Sequence, residues 1–189
     1  MTLEEKIKAV EDVFENLNQE IALFQSRSSL SCKSGCGKCC FKPDIEATIL
    51  EFLPFAEYLY RHDKAHEWLE RTASSEAICI LLNPQQLDTG MCTEYKYRGL
   101  ICRLFGFSAR INKYGKKELV TCATIKDGDT GNFSNAIVQI AAGSDVPVMN
   151  HHYLRLQAID LELTREFFPI NQAINRAIAV ILHYYAYRS

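Results

Sequence analysis

All eight cysteines of this chain lie between residues 32 and 122, and four of them fall within nine residues, Cys32-Lys-Ser-Gly-Cys36-Gly-Lys-Cys39-Cys40. The other four are Cys79, Cys92, Cys102 and Cys122. Cysteines used as small core hydrophobes would be scattered among apolar residues, yet the first four alternate with glycine and lysine. Glycine lets the backbone turn tightly, and lysine offsets thiolate charge. Adjacent Cys39 and Cys40 are poorly placed to bond to each other, because a disulfide needs converging side chains. The pattern calls for a centre that gathers thiols, framed by segments that contain none.

The redox setting decides between disulfides and ligands. The chain opens Met1-Thr-Leu-Glu-Glu-Lys-Ile-Lys, with acidic residues where a signal peptide is basic and no apolar stretch behind them. No run approaches the ~20 apolar residues of a membrane span. The expectation is a cytoplasmic protein whose thiols stay reduced, which favours metal binding or catalysis over a disulfide framework. A formal net charge of −2 supplies no basic stripe for nucleic acid or an anionic membrane, so neither is expected as a partner. With 189 residues, 48% of them hydrophobic, the chain is expected to form a single domain over 1–189, with 32–125 as its cysteine-rich metal-binding core.

Hydrophobic spacing supplies the frame. Leu3, Ile7, Val10, Phe14, Leu17, Ile21 and Phe24 recur at three- and four-residue steps, predicting an amphipathic helix over 3–27. After the serine-rich 28–34, Asp44 is expected to open a helix that buries Ile45, Ile49, Leu50, Phe52 and Leu53. Further helical pieces are expected from Pro54 to Tyr60 and from Asp63 to Ser74. Ile78, Ile80, Leu81 and Leu82 surround Cys79 as a short buried strand would. Turn residues follow at Asn83-Pro84 and Asp88-Thr-Gly90. Strands are expected over 106–112 and 118–124, joined at Tyr114-Gly115-Lys116 in a hairpin. A polar loop over 126–132 precedes helices over 133–142, 148–167 and 169–187. The fold class expected is α+β, mainly α, with helices framing a cysteine-rich irregular or small-β centre.

Zinc in structural sites takes four nitrogen or sulfur ligands, commonly two close in sequence and two distant. Iron–sulfur clusters also take four thiolates, from a compact run and remote positions. Eight thiolates suit two mononuclear sites, one cluster with spares, or a bridged binuclear site, and spacing alone leaves the division open. The same residues resemble the zinc- or iron-chelating domain family of the C-x-x-C-x-x-C-C type, whose core is followed by four more cysteines. Cys32, Cys36, Cys39 and Cys40 match that core with one extra residue in the first gap. Cys79-Ile-Leu-Leu82 resembles its Cys-Pro-x-Leu position, and Cys92-Thr-Glu-Tyr95 its Cys-x-x-Tyr. Arg98-Gly-Leu-Ile-Cys102-Arg103-Leu-Phe105 resembles its Arg-Pro-x-x-Cys-Arg-x-Phe segment with Gly99 in place of proline, and Cys122 takes the last position. The resemblance covers about residues 32–125 and implies chelation of zinc or iron by all eight cysteines. A flagellin lysine methylase is similar over the same motif and depends on an iron–sulfur cluster, so the resemblance also admits an iron–sulfur enzyme.

The remaining chemistry-bearing residues have both functional and ordinary readings. Arg98 and Arg103 flank Cys102 and either offset thiolate charge or form salt bridges. Lys33, Lys38 and Lys42 read as solvated lysines that could share that charge role. Tyr95 either covers the site or packs in the core. His62 and His66 stand one helical turn apart but read as a solvated face. His151 and His152 read as a helix start or surface pair, and His183 with Tyr184, Tyr185 and Tyr187 as helix packing. Cys36-Gly-Lys-Cys39 is a C-x-x-C pair, which makes thiol oxidoreductase an alternative, although no strand precedes it as in thioredoxin-like folds. No glycine-rich nucleotide fingerprint is present. The expected partner is a metal ion, with zinc, iron or an iron–sulfur cluster as cofactor.

Overall fold

A computed structural model describes residues 1–32, 37–73, 78–83 and 92–188. In chain order the first elements are α1 (Leu3–Ser28), β1 (Glu46–Ala47), α2 (Leu53–Arg61), α3 (Ala65–Ala73) and α4 (Leu100–Leu104). A hairpin follows, β2 (Ser108–Ile111) and β3 (Lys117–Val120), then α5 (Ala123–Gly128) and α6 (Thr130–Ala141). The chain ends with α7 (Met149–Ile159), α8 (Leu161–Thr164), β4 (Phe168–Pro169) and α9 (Ile170–Ala186). The described residues are predominantly helical with two small two-stranded sheets, the mainly α form of α+β that the periodicity implies.

The chain divides into two compact units, one of Met1–Glu11, Ser34–Gly99 and Leu156–Ser189, the other of Asp12–Lys33 and Leu100–Arg155. The first unit is built on α9. Its Ile170, Ala173, Ile174, Ala177, Ile178 and Ile181 form a buried stripe at three- and four-residue spacing. Within the same unit, α2 and α3 bury Phe55, Ala56, Leu59 and Trp68, and the Phe55 and Trp68 rings meet edge to face at 5.2 Å. Pro54 stands in the first turn of α2, where a missing N–H costs the helix nothing.

Asp44 does not open a helix. Residues 45–47 are extended because β4 takes their backbone: Glu46 pairs with Pro169 and Ala47 with Phe168, and Ile170 N donates to Ile45 O at 2.9 Å. Helical geometry begins later, where Glu51 Oε1 accepts from Thr48 N at 2.8 Å and Thr48 Oγ1 at 3.1 Å. The segment expected as one helix over 148–167 is broken at Asp160. Its backbone is extended, and its carboxylate accepts from Leu163 N at 3.0 Å and pairs with Lys6 Nζ at 2.6 Å. The buried strand expected around Cys79 is instead a turn, with Ile78 exposed and Leu82 N donating to Cys79 O at 3.0 Å.

In the second unit the expected hairpin is present, with Ser108 opposite Val120 and Ile111 opposite Lys117. Gly115 has φ +73°, a left-handed conformation that glycine adopts without strain. Asn112 Oδ1 closes the turn by accepting from Tyr114 N at 2.9 Å and Lys116 N at 3.0 Å. The loop expected over 126–132 is largely helical. Asp129 Oδ1 accepts from Asn132 N at 3.0 Å and so starts α6 at Thr130. Phe24, Leu30, Ala109, Ile125, Ala136, Ile140 and Val146 form this unit's core. Among the described residues no helix is long and apolar enough to cross a membrane.

Candidate metal centre

Cys39 and Cys40 lie on a single 3-10 turn, Lys38–Phe41, closed by Cys40 N donating to Gly37 O at 2.8 Å. Both are partly exposed. The Cys40 thiol hydrogen-bonds to Cys39, and that bond, helped by backbone N–H groups and the Arg98 guanidinium, holds the Cys39 thiol down to about 6 against the opposing effect of burial. A thiol with those neighbours is a thiolate at neutral pH, the form in which sulfur ligates metal.

Cys79 and Cys92 are tied by backbone. Leu82 and Cys92 form an antiparallel bridge, and Leu81 O accepts from Thr93 N at 2.8 Å and from Thr93 Oγ1 at 3.1 Å. Cys79 is only 5% exposed. Burial pushes its thiol up to about 11, with the charges of Cys92 and Cys39 acting in the same direction. Burial also raises Cys92, opposed by the Glu94 N–H and Arg98. Cys39, Cys79 and Cys92 thus act on one another electrostatically inside one unit, with Cys40 bonded to Cys39.

Arg98 is held for this role. Its Nε donates to Tyr95 O at 3.0 Å, and its guanidinium lies over the exposed Tyr95 ring at 3.4 Å. The segment is anchored through Tyr97, whose ring packs 4.7 Å from Tyr58 and 5.5 Å from Phe55. Tyr95 therefore carries Arg98 and does not pack in the core. Arg103 differs: in the second unit it is buried, donates to Asn18 Oδ1 at 3.1 Å and lies 4.5 Å over Phe14.

The other cysteines are placed as follows. Cys36, Lys33 and the turn signals at Pro84 and 88–90 lie outside the described residues, and with Cys36 goes half of the C-x-x-C pair. Cys32 is exposed, Cys102 is partly exposed on α4, and Cys122 caps α5 with its sulfur, which accepts from Ile125 N at 3.4 Å. These three belong to the second unit, whereas Cys39, Cys40, Cys79 and Cys92 belong to the first. Among the described residues no disulfide is formed, and no three or more His, Cys, Asp or Glu side chains stand as a ready metal cage.

The histidines go elsewhere. His62 Nδ1 lies 2.7 Å from Tyr58 O on an exposed face, and His66 is exposed. His151 and His152 lie in the first turn of α7, in keeping with the helix-start reading, but His152 is not on the surface. It is 1% exposed, with Nε2 3.1 Å from Glu20 Oε2 and Nδ1 3.4 Å from Arg155 Nη1.

One residue carries no motif signal. Asn171, 5% exposed in the first turn of α9, bonds to the backbone on both sides of Cys79. Its trace in the sequence is a carboxamide on an otherwise apolar helix face, three residues before Ile174 and seven before Ile178.

The donor chemistry is uniformly soft sulfur, which suits zinc or iron–sulfur and disfavours magnesium or calcium. Residues 31–123, which enclose all eight cysteines, match the sequence profile of the CxxCxxCC family, described as a putative zinc- or iron-chelating domain. No curated protein and no solved structure matches the chain.

Proposed function

Proceeding from the match of residues 31–123 to a zinc- or iron-chelating domain, we propose that this chain binds zinc or iron through cysteine thiolates. Cys39, Cys40, Cys79 and Cys92 form the principal ligand group, and Cys32, Cys36, Cys102 and Cys122 contribute further ligands. The observation that carries this reading is the Cys39–Cys40 pair: adjacent thiols on one turn, bonded to each other, with Arg98 acting on Cys39. Adjacent cysteines cannot readily satisfy each other as a disulfide, but a metal uses both. When bound, the metal supplies a charge-neutralising crosslink among the thiolates. Cys39 offers the first thiolate at neutral pH; buried Cys79 must release a proton to join. The reading takes the thiols to be kept reduced, as in the cytosol.

Anaerobic purification followed by metal analysis and a visible spectrum tests it. Stoichiometric zinc in a colourless protein, or iron with acid-labile sulfide in a brown one, supports chelation and names the metal. A protein that carries no metal after anaerobic purification and takes up neither zinc nor ferrous iron when these are added overturns it. Cys39→Ser is expected to lower metal content more than Cys79→Ser, and equal losses would show this ranking of the ligands to be wrong.

A further inference from the structure

We propose that Asn171 is the positioning residue for Cys79, an inference that rests on the chelation reading above. Its carboxamide grips the chain on both sides of the cysteine. Nδ2 donates to Ile78 O at 2.7 Å, and Oδ1 accepts from Ile80 N at 2.8 Å. These two bonds fix which way the amide faces, since a carbonyl can only accept and an N–H can only donate. They are the pair of bonds that a neighbouring strand would make, supplied by one side chain. Ile78 and Ile80 belong to no named strand, so the amide supplies there what sheet pairing would.

Holding residues 78 and 80 fixes the Cα–Cβ direction of Cys79 and leaves its thiol one torsion. The grip is rigid because Asn171 sits on α9, whose first turn is itself held by the Ile170 N–H to Ile45 O bond at 2.9 Å and by the β1–β4 pairing. The order set at Cys79 passes to Cys92 through the Leu82 N to Cys79 O bond and the Thr93–Leu81 contacts. A buried carboxamide in an apolar stripe would otherwise cost stability. Here both of its polar groups are used on the backbone beside one cysteine.

The test uses the full-length chain with Asn171→Leu, Cys79→Ser and the double variant, loaded with cobalt(II) as a spectroscopic probe and titrated with zinc against a chromophoric chelator. Asn171→Leu should weaken zinc binding by about 10–100-fold, as loss of groups that orient ligands does, and reduce the sulfur-to-cobalt charge-transfer band. In the Cys79→Ser background it should add no further loss. In metal-free protein, peptide-mapped alkylation of Cys79 should quicken in Asn171→Leu while that of Cys122 is unchanged. Unchanged zinc affinity, unchanged Cys79 alkylation or additive losses in the double variant would each overturn the proposal. If Asn171→Leu loses its helical circular dichroism, Asn171→Ala carries the comparison, since it leaves room for water at Ile78 O and Ile80 N, and the same loss of zinc affinity and quickened Cys79 alkylation are expected. A wild-type chain that binds neither cobalt nor zinc and carries no iron after anaerobic purification sinks the chelation reading itself; a wild-type chain that binds one of these metals while Asn171→Leu binds it equally sinks only the role of Asn171.

Discussion

Cys39 and Cys79 belong to the same compact unit, yet their thiols are driven in opposite directions, to about 6 and about 11. The Cys40 hydrogen bond governs the first and burial the second. The folded value of Cys39 lies below its ordinary 9.0, so its stabilising contribution in metal-free protein is complete above pH 9 and is lost as pH falls through about 6. Cys79 has the opposite sign: its contribution is complete below pH 9 and is lost as pH rises through about 11. Mass-mapped alkylation of metal-free protein should therefore show Cys39 reacting with a midpoint near pH 6 and Cys79 staying slow through neutrality. Cys40→Ala should move the Cys39 midpoint upward, because it removes the donor. A Cys39 midpoint that stays near 9 would contradict this assignment.

At the scale of elements, the stretch from Cys92 to Gly99 holds the Cys92 thiol, a proposed ligand, and Arg98 together by docking Tyr97 on α2 and by close approach at Gly99. A Cβ placed on Gly99 would stand 2.9 Å from Phe52 Cζ and 3.0 Å from Glu51 Oε2. Both neighbours are fully packed, Phe52 at 0% and Glu51 at 1% exposure, and the Phe52 ring contact cannot be relieved by a flexible tail. Gly99→Ala is expected to cost about 1–3 kcal/mol, the range for overpacking a filled site, read as a lower urea midpoint at constant slope; a variant of wild-type stability would show that Phe52 yields. Such contacts explain what the sequence conveys. The stripes of α1 and α9 were legible because burial repeats along a helix. Asp129 and Asp160 were not, since an aspartate reads equally as a loop residue or a cap until its carboxylate meets a particular N–H. Cys39 and Cys40 were legible from density alone. Which thiols share a unit was not, because Cys92 and Cys102 are ten residues apart in sequence and fall in different units. Asn171 was invisible for a related reason: its partners lie 91 and 93 residues away.

For the whole molecule, the chelation reading makes metal binding and folding share one free energy, because an unfolded chain offers no preformed thiolate site. Ligand present at 100 times its dissociation constant stabilises the folded state by about 2.7 kcal/mol. In a chain of this length about 1 kcal/mol moves the melting temperature by roughly 2–4 °C, so stripping the metal with a chelator should lower the midpoint by about 5–11 °C. The sign of the pH dependence follows from the thiols: ligation requires thiolates, and Cys79 is protonated at neutral pH in the metal-free protein. Protons are therefore released on binding, and the chelator-induced drop should grow between pH 6 and 8 as competition from protons fades. Calorimetric titration in buffers of different ionisation enthalpy measures the released protons directly, and scanning calorimetry with and without chelator measures the shift. A midpoint indifferent to chelator at pH 8 would mean that no thiolate-bound metal contributes to folding. In Cys39→Ser the chelator effect should shrink toward zero, while a wild-type-sized effect there would place the stabilising metal on other cysteines.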